Sequence, residues 1–317
     1  MPGKRSLRVR AFAKINLTLR VLGVRSDGYH ELRTTLQSVA LHDTLTFTIV
    51  PGPFRLECND AACPTDSVNL VWQAAELMWR AASRRGPLHD VVVHLAKRIP
   101  MQAGLGGGSS DAAATLRALA ALWRVKMPDE QLRTIASQLG ADVPFFLEGG
   151  TALGVERGDV LFPLPDLTTM WAAVVWPRFG IRTAEAYGWW DEDQQHRWSR
   201  ERALQRVGER KRSPTTHVKD DDAGLITRLP PGDLRNDLER PVATRRPAIA
   251  HLLNALRRQG ALYAAMSGSG SAVFGLFASR ASAASAADAL AGRTCRTLVT
   301  RTLNRSRHAQ LSRPRPG

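Results

Sequence analysis

Residues 100–111 read Pro100-Met-Gln-Ala-Gly-Leu-Gly-Gly-Gly-Ser-Ser-Asp111. A β-rich stretch, Asp90-Val-Val-Val-His-Leu95, precedes them, and an Ala-rich helical stretch, Ala112 to Trp123, follows. Strand, glycine loop and helix in that order leave few architectures open. Glycine has no Cβ, so backbone N–H groups can approach a ligand closely, and a helix N-terminus adds partial positive charge. The segment is a cradle for phosphate. It is not a Walker A loop, because Ser109 follows Gly108 and the loop holds no Lys. It is not the dinucleotide fingerprint either, since Gly104-x-Gly106-x-x-Ser109 and Gly106-x-Gly108-x-x-Asp111 both miss the third glycine.

The rest of the chain sets the context. Apolar residues make up 44% and charged residues 23% of 317, the balance of a soluble globular protein with one large core or two modest ones. The apolar run Met170–Trp176 is too short to span a bilayer, and Lys14 interrupts the N-terminal apolar segment. A cytoplasmic protein without membrane contact is expected. Three cysteines, Cys58, Cys63 and Cys295, do not form a disulfide framework, and no Cys/His pairs at zinc spacing accompany them. The net charge of +15 invites a nucleic-acid reading. However, 38 of the 44 basic residues are Arg, and they gather in Arg197–Arg212 and Arg293–Arg315 without interleaved aromatics. Solvated charge is the better reading, and nucleic acid is not the expected partner.

Alternation predicts strands at Leu7–Phe12, Leu17–Leu22 and Leu45–Ile49, with a tight turn at Asp27-Gly28. Asn69 is placed to cap a helix running to about Ala82. Leu132, Ile135, Ala136 and Leu139 mark one face of a helix over 130–139, stopped by Gly140. The second half gives strands at Ala172–Trp176, Leu262–Met266, Ala272–Phe277 and Thr297–Thr302. Helices lie around Ile249–Leu256 and Ala281–Ala291. The order is β-α-β-β-α-β, a split βαβ pattern. Residues 191–223 read as a polar loop or insertion, and 305–317 as a disordered basic tail. The division expected is 1–158, 159–304 and that tail.

Four further motifs stand out: Ala11-Phe-Ala-Lys-Ile-Asn-Leu17, Gly28-Tyr-His-Glu-Leu32, Gly140-Ala-Asp-Val-Pro144 and Ser267-Gly-Ser-Gly270. Lys14 and Asn16 share one face of a strand. An inward ammonium needs an anion or acceptor, unless the side chain snorkels out. Asp142 stands where a helix could start, with Pro144 in the first turn, so it could simply be an N-cap.

Together with the glycine loop these motifs resemble the GHMP kinase superfamily. Within it, the chain looks like the 4-diphosphocytidyl-2-C-methyl-D-erythritol kinases of the non-mevalonate isoprenoid pathway. The resemblance covers about residues 7 to 300. It implies an α+β fold of two domains, a ribosomal-protein-S5-like N-terminal domain and a ferredoxin-like C-terminal domain, with the site in the cleft between them. It implies an ATP- and Mg²⁺-dependent kinase acting on the 2-hydroxyl of a small cytidine diphosphate-linked alcohol, as a monomer or weak dimer.

By resemblance, Asp142 is the catalytic base and Lys14 stands against the substrate hydroxyl. Pro100, Met101, Gln102, Ala103, Gly104, Leu105, Gly106, Gly107, Gly108, Ser109 and Ser110 hold ATP. Asn16, Thr183, Tyr29, His30 and Tyr187 contact the substrate, with Tyr29-His30 on one side of the cytosine and Tyr187 on the other. Ser267, Gly268, Ser269 and Gly270 fold back on the site. The metal ligand is left open. Asp111 fits the helix dipole, or a role in ordering Mg²⁺. Asn236-Asp237 is read as structural.

Overall fold

The computed structural model describes residues 5–207 and 234–317, and the side chains of 197–207 are outside the description. Strands β1 (Ser6–Val24) and β2 (His30–Pro53) form one long antiparallel hairpin across the turn at Asp27-Gly28. The two short strands expected at 7–12 and 17–22 are therefore one. Its register shifts between Phe12 and Lys14 and again between Asn16 and Thr18. Such bulges bend a strand and re-aim its side chains, here Lys14 and Asn16.

The inner hairpin strand, β2, is shared by two neighbours. Its later part pairs with β4 (His89–Ala96), and its first part with β5 (Thr151–Glu156), which pairs in turn with β6 (Val160–Pro163). Strand β3 (Arg55–Cys58) lies parallel to β4, with helix α1 (Leu70–Ala81) crossing between them. Asn69 caps α1 by accepting from the Val71 amide, as expected.

Helix α2 (Gly107–Trp123) packs with α1 over the sheet. Its Ala112, Ala113 and Ala118 are buried small side chains, so its backbone lies close to the layer formed by Leu45, Phe47, Val91 and Val93. Each fully buried Leu, Val or Phe in that layer contributes about 1.5–3 kcal/mol. Helices α3 (Asp129–Leu139) and α4 (Val143–Glu148) follow. Ile135 and Ala136 of α3 are buried, and Leu132 and Leu139 pack partly against the same core.

A second sheet contains β7 (Trp171–Pro177), β8 (Tyr263–Met266), β9 (Val273–Phe277) and β10 (Cys295–Arg301). The order β10-β7-β9-β8 is antiparallel throughout, which is the ferredoxin-like arrangement. It carries α5 (Thr183–Val207), α6 (Glu239–Arg245), α7 (Pro247–Arg258) and α8 (Arg280–Leu290). The two sheets share an apolar core. Ala13, Ile15, Leu17, Val39 and Leu41 from the hairpin pack with Ala172, Val174, Phe274 and Leu276.

Two expectations are corrected. Residues 191–207 are not a loop: they continue α5, whose first turns are fixed by Ala186 and Tyr187 in the second core. Residues 208–223 lie outside the described residues. The tail is not disordered. Helix α9 (Arg305–Leu311), capped by Asn304, and the two-residue strand β11 (Arg315–Pro316) pack on the first sheet, β11 beside β1. Arg and Pro composition suggested disorder, but His308 is 1% exposed and docks where Gly149 has no side chain. A Cβ there would fall 2.2 Å from the imidazole. Among the described residues no helix is long and apolar enough to cross a membrane.

Candidate active site

The β1 bulge receives the glycine loop. The Lys14 amide donates to the Leu105 carbonyl at 3.0 Å, which seats the loop against the strand. Lys14 is buried and its Nζ lies 2.5 Å from Asn16 Oδ1 and 3.5 Å from Asp142 Oδ2. The inward reading of Lys14 therefore holds over snorkelling. Asn16 is itself held: its amide Nδ2 donates to Thr34 Oγ1 at 2.8 Å, and Thr34 Oγ1 donates to the Thr18 carbonyl.

Asp142 stands at the N-cap position of α4 but makes no capping bond. Its side chain is 39% exposed. The carboxylate faces Lys14 on one side and solvent on the other, so it can accept a proton from a ligand.

The loop ends in a helix N-terminus without a side-chain cap. Gly106, at φ +71°, precedes α2, and a Cβ on it would meet the Phe146 ring at 2.5 Å. Ser110 N is the first amide to close an intrahelical bond, to Gly106 O. The amides of Gly107, Gly108 and Ser109 thus head the helix as donors. Ser109 is half-buried. Ser110 is not available to a phosphate: it is 2% exposed and its hydroxyl donates to the Phe12 carbonyl at 2.7 Å. That corrects its expected place among the ATP contacts.

The third motif backs this loop. Ser267 Oγ donates to Gly104 O at 2.9 Å, and Ala272 N donates to Ala103 O at 3.1 Å. Ile181 N reaches Gln102 O at 3.3 Å. A Cβ on Gly268 would lie 3.2 Å from Asn16 Oδ1 and 3.4 Å from Lys14 Nζ, so this backbone touches the charged pair. Asn236 holds the turn by donating to Met266 O and Gly268 O at 2.8 and 2.7 Å. Its structural reading stands.

The hairpin turn supplies a second wall. Tyr29 is exposed, with the Arg157 guanidinium 5.3 Å from its ring. His30 is stacked on Tyr187, centroids 4.5 Å apart at 28°, and Trp190 meets its edge at 5.7 Å. Its Nε2 lies 2.9 Å from Asp191 Oδ1. The spacing excludes a third ring between His30 and Tyr187, so a sandwich with His30 opposite Tyr187 is not formed. Burial, and secondarily the Asp142 charge, raise the Tyr187 phenol above its ordinary range. Thr183, exposed at the start of α5, has Oγ1 3.3 Å from Ser269 Oγ.

Several participants were not anticipated. Asp191 lies in the stretch read as a loop, and Trp190 immediately precedes it. Lys97, Asp43 and Asp111 form a buried cluster under the glycine loop, with Lys97 Nζ 2.5 Å from Asp43 Oδ2 and 2.8 Å from Asp111 Oδ2. Asp111 is 2% exposed, which removes it as a candidate for ordering Mg²⁺. The signal for Asp43 was a charge within the alternating run from Leu41 to Ile49.

A strand–glycine loop–helix unit, a bulged strand carrying Lys14 and a ferredoxin-like second half make the architecture of a small-molecule kinase. The chain matches the GHMP kinases N terminal domain over residues 69–150 and the GHMP kinases C terminal domain over residues 227–296. A homoserine kinase from Cytophaga hutchinsonii superposes with a TM-score of 0.66 at 18% identity, covering 99% of this chain and 98% of that one; it shares the fold.

Nearer relatives narrow the class. The 4-diphosphocytidyl-2-C-methyl-D-erythritol kinase of Moorella thermoacetica is 41% identical over 297 residues, 94% of this chain and 99% of the relative. That of Solibacter usitatus is 42% identical over 291 residues, 88% and 84%. A crystal structure of 4-(cytidine 5'-diphospho)-2C-methyl-D-erythritol kinase superposes with a TM-score of 0.70 at 34% identity, covering 93% and 98%. The chain belongs to the 4-diphosphocytidyl-2-C-methyl-D-erythritol kinase family.

Proposed function

We propose that this protein transfers the γ-phosphoryl group of ATP to the 2-hydroxyl of 4-diphosphocytidyl-2-C-methyl-D-erythritol, a step in isoprenoid precursor biosynthesis. The observation that carries this reading is the Lys14–Asp142 pair, 3.5 Å apart, next to the uncapped N-terminus of α2.

Phosphoryl transfer asks a protein mainly for positioning and charge stabilisation. The amides of Gly107, Gly108 and Ser109 and the α2 dipole hold the ATP phosphates at the helix end. Asp142, half open to solvent, accepts the hydroxyl proton as the oxygen attacks. Lys14, fixed by Asn16, faces the oxygen as its charge grows. Tyr29, exposed at the turn, offers a ring face to the cytosine, and the His30–Tyr187 stack with Thr183 and Ser269 forms the adjoining wall.

Mg²⁺ fits this donor set through the Ser109 hydroxyl, since magnesium on a nucleotide takes few protein oxygens and keeps phosphate and water as its other ligands. When bound it would neutralise phosphate charge. Residues 5–158 provide the loop and the base, and the second half provides Ser267–Gly270, between β8 and β9, and Thr183, at the start of α5.

The test is a kinase assay offering the cytidyl alcohol, homoserine and mevalonate to the same preparation. Phosphorylation of the cytidyl alcohol in preference to the other two is expected. Preference for either of the others overturns the substrate reading.

A further inference from the structure

We propose that Lys97, gripped between Asp43 and Asp111, is a positioning residue that fixes both ends of the glycine loop and so sets the affinity for ATP. This rests on the reading of residues 100–110 as the nucleotide cradle.

The loop leaves β4 at residue 97 and enters α2 at residue 107. Its two ends are tied to one point. At the entry, Asp43 on β2 accepts from the amides of Arg98 and Ile99 through Oδ1, and from Lys97 Nζ through Oδ2. At the exit, Asp111 in the first turns of α2 accepts from the same Lys97 Nζ at 2.8 Å. The Lys97 backbone is fastened too: its amide donates to Asn59 Oδ1 at 2.7 Å, and its carbonyl accepts from Asn59 Nδ2.

All three side chains are buried, with 6%, 0% and 3% exposure for Lys97, Asp43 and Asp111. Lys97 Nζ would lie 3.2 Å from a Cβ on Gly107, the residue that opens α2, and Ile99 fills the same floor at 3.0 Å. The first turn of α2 therefore rests directly on the ammonium. A shift of Lys97 moves the helix-end amides that receive phosphate.

The cluster has two carboxyls for one ammonium. Asp111 Oδ1 is buried without a hydrogen-bond partner. Burial, aided by the Asp43 charge and opposed by Lys97, pushes the Asp111 carboxyl up to about 8. Sequestering these groups is costly unless they hold a geometry. Asp111 is also the member whose removal leaves a charge-matched Lys97–Asp43 pair, so its loss tests the tie without stranding a buried charge.

The experiment compares the full-length protein with Asp111→Ala, Asp111→Asn and Asp43→Asn. It reads three quantities: hydrogen exchange of the ligand-free loop amides, Kd for a non-hydrolysable ATP analogue, and KM for the cytidyl alcohol. In Asp111→Ala, amides 104–110 should exchange about tenfold faster while β7 and β9 keep their rates. The analogue Kd should rise about tenfold, with the alcohol KM within about twofold of the parent. Asp111→Asn, which retains an acceptor for Lys97, should restore both quantities.

If Asp111→Ala does not fold, Asp43→Asn should show the same split, because the single amide oxygen of Asn cannot accept both from the Arg98 and Ile99 amides and from Lys97 Nζ on the opposite side. Unchanged loop exchange overturns the proposal. So does a loss of affinity shared equally by both ligands and accompanied by faster exchange throughout, which marks a generally structural role. The exchange arm uses no substrate, so a failure of the substrate reading in the kinase assay is seen separately.

Discussion

Gly104 and Ser267 are interlocked: a Cβ on Gly104 would fall 2.0 Å from the Ser267 carbonyl oxygen, while Ser267 Oγ donates to the Gly104 carbonyl. Gly104 is also at φ +73°, where an L side chain is strained. Gly104→Ala should therefore push the two loops apart. The left-handed backbone costs about 1–2 kcal/mol and overpacking about 1–3 more. Thermal unfolding and analogue binding should both report it, and a variant with parental stability and affinity would show that the loops are not in contact.

Removing the proton acceptor separates chemistry from binding. Asp142→Asn keeps the shape and the N-cap position, so kcat should fall by about a hundredfold to ten-thousandfold. The ATP-analogue Kd should stay within about threefold, because the phosphates are held by the loop amides. Parallel losses in kcat and affinity would instead assign Asp142 a structural role in starting α4. Lys14→Met should also lower kcat. Because Lys14 is buried beside Asn16, its Tm should be measured in the same samples.

The aromatic wall makes a different prediction. Tyr29→Ala removes an exposed ring that no core contact needs, so Tm should hold while KM for the cytidyl alcohol rises about tenfold, as loss of one base stack predicts. Tyr187→Leu removes the partner of His30 and should raise the same KM while also loosening α5, where Tyr187 packs in the second core. An unchanged KM in Tyr29→Ala would mean the cytosine is read elsewhere.

Acid should act through His308. Burial, with help from the Arg117 and Arg305 charges, pushes this imidazole down to about 3. In the folded protein it stays neutral below pH 6.5, whereas in the unfolded chain it takes up a proton. Its contribution is thus fully present above about pH 6.5 and is lost as pH falls toward 3, by up to about 1.4 kcal/mol per pH unit. Comparing Tm against pH for the parent and His308→Gln should show a flatter slope in the variant across that interval. Equal slopes would place the acid sensitivity in other groups.

The legible parts of this molecule were those written in local spacing. Glycines packed against a helix start, a Lys inside an apolar strand and Asn69 before a helix each carry their meaning within a few residues. What escaped depends on partners far apart in the chain. Lys97 meets Asp43 across 54 positions, and His30 meets Asp191 across 161. No periodicity records such pairs. The tail was misread for a related reason: the cavity that accepts His308 is made by Gly149, a residue whose contribution is the side chain it lacks. Ser110 reads as a phosphate contact from its place in the glycine loop, yet helix rotation turns its hydroxyl back to Phe12.

Three consecutive carbonyls of the glycine loop, those of Gln102, Ala103 and Gly104, accept hydrogen bonds from Ile181, Ala272 and Ser267 of the other half. The glycine loop is therefore a joint product of the two layers. Prying the layers apart would unlatch the glycine loop, so under the proposed function opening at this seam and tight nucleotide binding are mutually exclusive. A substitution buried in the second sheet, remote from any phosphate, acquires a route to nucleotide affinity. Split into two chains, the first layer alone would keep every glycine of its loop and lose the shape they serve.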